Sequence, residues 1–329
     1  MPNDPGLSGD NCIFMEAISG DGGNHTPNDV WWLSPDINLV GPTSGLDNAD
    51  AGQTNPVTVS FHRKPASSNC SFPGDESLVV ELWVANPSLV MSPKVHLSAA
   101  RVGFIGAPLP AEGASGSQQI DWDVPAAPPP NDPQSAGHKC LIARSYPSSG
   151  VPSNSNFFVP GDQHVTQHNL CIVRISDHNL TFKVNTLNPN LTHPPLLPSP
   201  PPNAKLRAVL DLHPSNFVKD TVTSRLESFA GFQKLRYTPY SGGFKFDLTN
   251  LHASDIVDHS HPGILQPLPP HTVPSFEAKV VLDSKHVTPI TFLANLQGAR
   301  RGEACIFHLI QTSLTNTAEG GLTLVVLPT

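Results

Sequence analysis

The chain has 329 residues, of which 14% are charged, with 36 prolines and 24 glycines; this mixture suits short strands joined by turns and excludes a protein of long amphipathic helices. Lys and Arg number 19 against 27 Asp and Glu, and the net charge of -8 opposes nucleic acid and anionic membrane surfaces as partners. No apolar run approaches the roughly 20 residues that cross a bilayer, and the start lacks a basic segment followed by an apolar core. A soluble protein, cytoplasmic by default, is the expectation, with an extracellular or particle-associated setting reached by a non-classical route as the alternative.

A chain of this length calls for two cores. Residues 1–28 read as an N-terminal extension. The stretch "NDVWWLSPDINLVGP" then opens the first domain, 29–186. Adjacent strand residues point to opposite faces, so one of Trp31 and Trp32 is expected in the core and its neighbour outside. Residues 55–63 form the next strand, with Val57, Val59 and Phe61 on one face. Residues 77–86 follow, with Val80, Leu82 and Val84 opposite Val79, Glu81 and Trp83. Between 103 and 137 the chain reads as a Gly/Pro/Ala excursion anchored by Ile120 and Trp122. Its "GASGS" at 113–117 approaches a hydrolase serine motif, but it ends in Ser117 and no strand-to-helix elbow surrounds it, so no nucleophile is expected there. Strands resume at 138–146 and 169–177.

Residues 187–203 hold seven prolines in seventeen positions, which excludes helix interior and central strand and marks a stiff linker between domains. The second domain, 204–329, opens with an alternating strand at 204–212. The period then changes: Val218, Val222, Leu226 and Phe229 recur at helical spacing, with Ser215 as N-cap and Gly231 past the end. Strands follow at 243–251, 276–283, 289–296, 303–312 and 321–327, the last two joined as a hairpin through "TNTAEGG". The fold class is therefore all-β: two tandem immunoglobulin-like β-sandwich domains, the second with one α-helix.

In sequence order, "WWLSPDINL", "NPVTVSFHR", "ESLVVELWVANPSL" and "HKCLIARSY" resemble bacterial immunoglobulin-like modules of the CARDB type over residues 29–176, with "QHNL" at 167–170 as the closing Asn-bearing segment. The long Pro/Gly insertion and the missing Asn-x-Gly turn depart from that pattern. The resemblance implies a binding, spacing or assembly role and no catalytic residue.

The five cysteines sit at wide spacings without a Cys-x-x-Cys pair. Most read as buried thiols, and Cys140 and Cys171 are the pair that could bridge a sandwich under oxidising conditions. Among 15 histidines, His252, Asp255, Asp258, His259 and His261 form a candidate site for zinc or another divalent metal, and Asp162, His164 and His168 a second grouping. "HVTQH" lacks the Glu of a helical metalloprotease motif. Trp31, Trp32 and Trp83 are the candidate binding rings. The leading expectation is a non-enzymatic structural, adhesion or scaffold protein that binds a protein partner or self-assembles, with no cofactor. The alternatives are a metal-dependent hydrolase or metal-stabilised binder using the 252–261 cluster, and a carbohydrate-binding module taking a glycan.

Overall fold

Alternating apolar and polar residues become paired strands wherever both backbone edges find partners, and nearly all of the regular structure here is of that kind. The computed structural model describes every residue except 1–3, 27–29, 69, 71, 73–76, 96–97, 127–137, 154–156, 191–199, 259–272 and 284–285. Its contacts divide into two compact units, Met1–Asn86 with Met91–Asn169, and Pro87–Val90 with Leu170–Thr329.

In the first unit the strands are β1 (Ile13–Phe14), β2 (Ile37–Gly41), β3 (Gly45–Leu46), β4 (Thr54–Arg63), β5 (Ser77–Ala85), β6 (Ala100–Pro108), β7 (Ser115–Asp123), β8 (Cys140–Pro147) and β9 (Val165–His168). One sheet is built on β4, which pairs antiparallel with β1, β2 and β7, while β2 also pairs with β3. The other runs in the order β6-β5-β8-β9. Val57, Val59 and Phe61 of β4 and Leu78, Val80, Leu82 and Val84 of β5 share a single buried cluster with Ile120 and Trp122 of β7, so the sheets pack as a sandwich. Each such side chain removed from water contributes about 1.5–3 kcal/mol.

The stretch read as a Gly/Pro/Ala excursion, 103–137, thus contains β7 and most of β6. Glycines, serines and glutamines mask the alternation there: only Ala107 of β6, and Ile120 and Trp122 of β7, are buried hydrophobics. A second correction concerns the tryptophans. Trp31 and Trp32 lie in a turn, not a strand. The rule of opposite faces does not apply to a turn, and both rings are buried, 0% and 1% exposed, edge to face at 5.4 Å.

The second unit holds β10 (Leu170–Ile175), β11 (Asn179–Thr186), β12 (Ala204–Asp211), α1 (Asn216–Leu226), β13 (Lys234–Leu235), β14 (Phe244–Asp247), β15 (Ala253–Asp258), β16 (Ser275–Val280), β17 (Thr288–Asn295), β18 (Glu303–Thr312) and β19 (Ala318–Pro328). Its larger sheet runs β10-β19-β18-β12-β16-β15, with β13 beside β18; the smaller runs β11-β17-β14. Phe244, Phe246 and Phe292 of the smaller sheet meet Phe276 and Phe307 of the larger at ring separations of 5.2–6.0 Å, which again makes a sandwich. β18 and β19 form the expected hairpin. Asn316 turns it at φ 67°, a left-handed conformation that Asn tolerates. In α1 the Ser215 side chain accepts from Val218 N, and Val218, Val222 and Leu226 are buried, as the spacing required. Phe229 falls past the helix end, under the Arg174 guanidinium at 5.1 Å.

The chain is therefore mostly β with a single helix among the described residues. The junction expected at 187–203 differs from the observed division, because β10 pairs in parallel with β19 along Leu170–Ile175 and so belongs to the second unit. The cysteines are mostly buried thiols, as expected, but the pair that bridges is a different one. Cys12 and Cys70 are joined in a disulfide with Cα atoms 5.0 Å apart, whereas Cys140, Cys171 and Cys305 are buried thiols. Cys140 is in β8 of the first unit, where it donates to Asn169 Oδ1, and Cys171 lies in β10 of the second.

Candidate functional site

Of the three candidate rings, only Trp83 reaches a surface. It sits on β5 among Val79, Glu81 and Trp83, the side chains that alternate away from the core residues Leu78, Val80, Leu82 and Val84. The register places Glu81 opposite Phe104 of β6 and Arg144 of β8, and Trp83 opposite Arg101 of β6. Arg101 and Phe104 are three residues apart and would face opposite sides of a regular strand. The register shift between Leu82 and Trp83 absorbs the odd residue and brings both onto the face of Trp83.

The result is a graded stack of rings and cations. The Arg101 guanidinium lies 5.0 Å from the Phe104 ring centre and 5.9 Å from that of Trp83, and Trp83 meets Phe157 edge to face at 5.3 Å. Deeper in, Arg144 lies 5.6 Å from Phe157 and 5.5 Å from Tyr146. Phe104 is 63% exposed, whereas Arg144 is 1% exposed. Glu81 ties the buried end: Arg144 donates to its Oε2 from Nε at 2.9 Å and Nη2 at 2.6 Å, and Tyr146 donates to Oε1 at 3.2 Å. Burial, with the Glu81 carboxylate beside it, pushes the Tyr146 phenol up to about 12, so its hydroxyl remains a donor. Trp83 Nε1 also donates to Glu81 Oε2 at 3.3 Å. The buried network holds Trp83 and fixes where the exposed Arg101 and Phe104 stand, on the strand that, among the described residues, ends the sheet order β6-β5-β8-β9. Arginine and aromatic side chains preorganised in this way carry much of the binding energy at protein interfaces.

Trp31 and Trp32 have no exposed face on which a sugar could stack, which corrects their reading as binding rings. In the proposed metal cluster, His252 precedes β15, and Asp255 and Asp258 fall within that strand; the side chains of Asp255 and Asp258, and the whole of His259 and His261, lie outside the described residues. Among the described residues no group of three or more His, Cys, Asp or Glu side chains is placed to hold a metal ion. The second histidine grouping is structural in its bonds. His164 is fully buried between Asp162 Oδ1 at 2.8 Å and Asp10 Oδ2 at 3.1 Å. Burial alone would lower its pKa, but the two carboxylates outweigh it and raise the value to about 9. His168 Nδ1 bonds to Ser34 O at 3.1 Å, four residues beyond His164 but on a strand, not a helix.

No family model matches the chain, and no curated protein matches it. Among solved structures it is similar to the collagen adhesin (CNA) of S. aureus, at 9% identity and TM-score 0.21 over 89% of this chain and 93% of that one. A protein described as membrane anchored from Corynebacterium diphtheriae is 10% identical with TM-score 0.20, over 89% of this chain and 59% of that one. A red sea bream transglutaminase is 11% identical with TM-score 0.17, over 89% of this chain and 31% of that one. Likeness at this level carries no argument about function. Among the described residues no helix is long and apolar enough to cross a membrane.

Proposed function

We propose that the protein is a structural or adhesive β-sandwich protein that acts by surface contact, and that it associates with a second copy of itself through the β6 edge. The observation that carries this reading is the face that Trp83 of β5 shares with Arg101 and Phe104 of β6, a strand that among the described residues pairs with β5 and no other. Free edges are normally blunted by lysine, proline or inward charge. β6 reads ARVGFIGAP, with one arginine, a proline only at its last position, and Phe104 and Ile105 both exposed. The CARDB-type, immunoglobulin-like reading of the first half belongs to this proposal, supported by the order of its strand segments. The Cys12–Cys70 disulfide adds a setting: such bonds persist in oxidising compartments, so the proposal places the working protein outside the reducing cytosol.

Sedimentation equilibrium over a wide concentration range tests the contact. Reversible dimerisation is expected, weakened at least tenfold by Phe104→Lys with unchanged circular dichroism, an effect equivalent to about 1.4 kcal/mol. A protein that stays monomeric at the highest concentrations, or a dimer indifferent to Phe104→Lys, refutes the assignment.

A further inference from the structure

On the sheet opposite the contact face, β4 and β7 bring together three side chains from distant parts of the sequence. His62 of β4 faces Ser115 of β7 in the ladder, and its Nδ1 lies 2.7 Å from Ser115 Oγ. Its Nε2 is 3.0 Å from both carboxylate oxygens of Asp36. Asp36 is buried and fixed in turn: Glu16 N donates to its Oδ2 at 2.6 Å, and its own N–H donates to Ser34 Oγ at 3.1 Å. The His62 ring is stacked on Phe14 at 5.1 Å. Ser115 is exposed. An accessible hydroxyl, an imidazole within hydrogen-bond reach and a buried carboxylate orienting that imidazole are the parts of an activated serine.

We infer that Asp36, His62 and Ser115 form an acyl-transfer site that takes small esters at the surface, with Ser115 as nucleophile. In the tautomer with its proton on Nε2, His62 donates to Asp36 and turns the Nδ1 lone pair toward the serine hydroxyl. Ser115 Oγ forms a bond to the ester carbonyl carbon as its proton passes to Nδ1. The carbon–oxygen bond to the alcohol then breaks, and the alcohol leaves with that proton. Water repeats the sequence on the acyl-serine and releases the acid, so that ester and water give acid and alcohol. The nitrogens are used in the reverse of the usual order, Nδ1 toward the serine and Nε2 toward the carboxylate, because the serine is a cross-strand neighbour and the carboxylate comes from the end of a different loop. A structural role accounts for the Asp36–His62 bond but requires no special reactivity of Ser115.

Ser117 supplies an internal reference: it is exposed, two residues along the same strand, and opposite Ser60 instead of a histidine. The full chain is treated with an alkyl fluorophosphonate, which forms an Oγ–P bond and expels fluoride, and the adduct is mapped by peptide mass spectrometry. The wild-type protein is expected to carry the adduct on Ser115 and not on Ser117, with none in Ser115→Ala. His62→Gln, with folding confirmed by circular dichroism, should slow labelling on the order of 100-fold, the usual worth of a positioned base. No adduct on Ser115, equal labelling of Ser115 and Ser117, or a rate unchanged in folded His62→Gln overturns the inference. The Ser115 to Ser117 comparison within the wild type decides the matter even if His62→Gln does not fold.

Discussion

The two sandwiches differ in emphasis, although the second also pairs ions, Glu303 with Arg236 at 2.5 Å and His308 with Asp211 at 2.9 Å, and the first also buries rings, Trp122 and Phe61 among them. The first buries ions: Arg144 against Glu81 on the outer side of one sheet, and His164 between Asp10 and Asp162. The second is filled by rings, with Phe292 touching Phe244, Phe246 and Phe307 at 5.2–6.2 Å. A buried ion pair is costly to desolvate and demanding in geometry, so it contributes more to placement than to stability. A phenylalanine cluster contributes stability and places little. One such arrangement, Arg144 against Glu81, occurs where position matters, beneath Trp83 and Arg101.

The largest expected effects separate the two. Arg144→Met removes the cation that donates twice to the buried Glu81, leaving Arg101 Nη1 at 3.6 Å as its remaining cation, and should cost about 3 kcal/mol, whereas combining it with Glu81→Leu should recover most of that loss. Phe292→Ala should cost about 3–5 kcal/mol as well, with no second substitution that restores it, because what is lost is volume. The residues Trp31, Trp32, Trp83 and Trp122 all lie in the first unit, so urea unfolding followed by tryptophan fluorescence reads that unit selectively, and calorimetry reads the Phe292→Ala loss in the second. Failure of the double substitution to recover would mean that the ions stabilise the first unit outright.

A smaller effect follows from pH. The His164 imidazole titrates at about 9 in the folded protein against 6.5 for the free side chain. Below pH 6.5 both states hold the proton and its stabilisation is fully present. As pH rises from 6.5 through 9 the unfolded chain has released a proton that the folded one still binds, and stability falls. Asp162, lowered from 3.8 by His164 against the opposing effect of burial, acts at the other end, its contribution being lost in acid. The urea midpoint of the fluorescence transition should therefore drop across the alkaline window in wild type and lose that drop in His164→Gln. An unchanged slope in the variant would assign the pH dependence elsewhere.

These groups show what a sequence displays and what it hides. Val57, Val59 and Phe61, or Val218, Val222 and Leu226 behind Ser215, announce their elements because burial repeats at a fixed period. Trp83 could be chosen as a candidate ring on composition alone, but Arg101 and Phe104 could not be joined to it, since a register shift puts them on one face. Cys12 and Cys70, 58 residues apart, carry no spacing signal. Asp36, His62 and Ser115 come from three segments that only the β4–β7 ladder and the turn before β2 bring together. The "GASGS" motif gives no reason to expect a nucleophile; what singles out Ser115 is its neighbour across the ladder, His62, which the motif does not show. The unit boundary was hidden similarly, by a parallel pairing between Leu170–Ile175 and the last strand of the chain.

The smallest effect tests the comparison by making one substitution twice. Tyr146 in the first unit donates to Glu81 Oε1, so Tyr146→Phe removes a hydrogen bond to a charged group and should cost about 1.5–3 kcal/mol. Tyr240 in the second unit is buried against Phe307, and among the described residues its hydroxyl has no hydrogen-bond partner. Burial holds that phenol well above its ordinary pKa, so it remains a protonated donor without an acceptor. Tyr240→Phe keeps the ring and deletes the orphan, and it should be neutral or raise stability by about 1 kcal/mol in calorimetry. Opposite signs for the same chemical change would show that the first unit uses the Tyr146 hydroxyl and the second merely tolerates that of Tyr240. A loss at Tyr240 as large as that at Tyr146 would erase the distinction, because it would mean that the ring-filled core also depends on a directional bond.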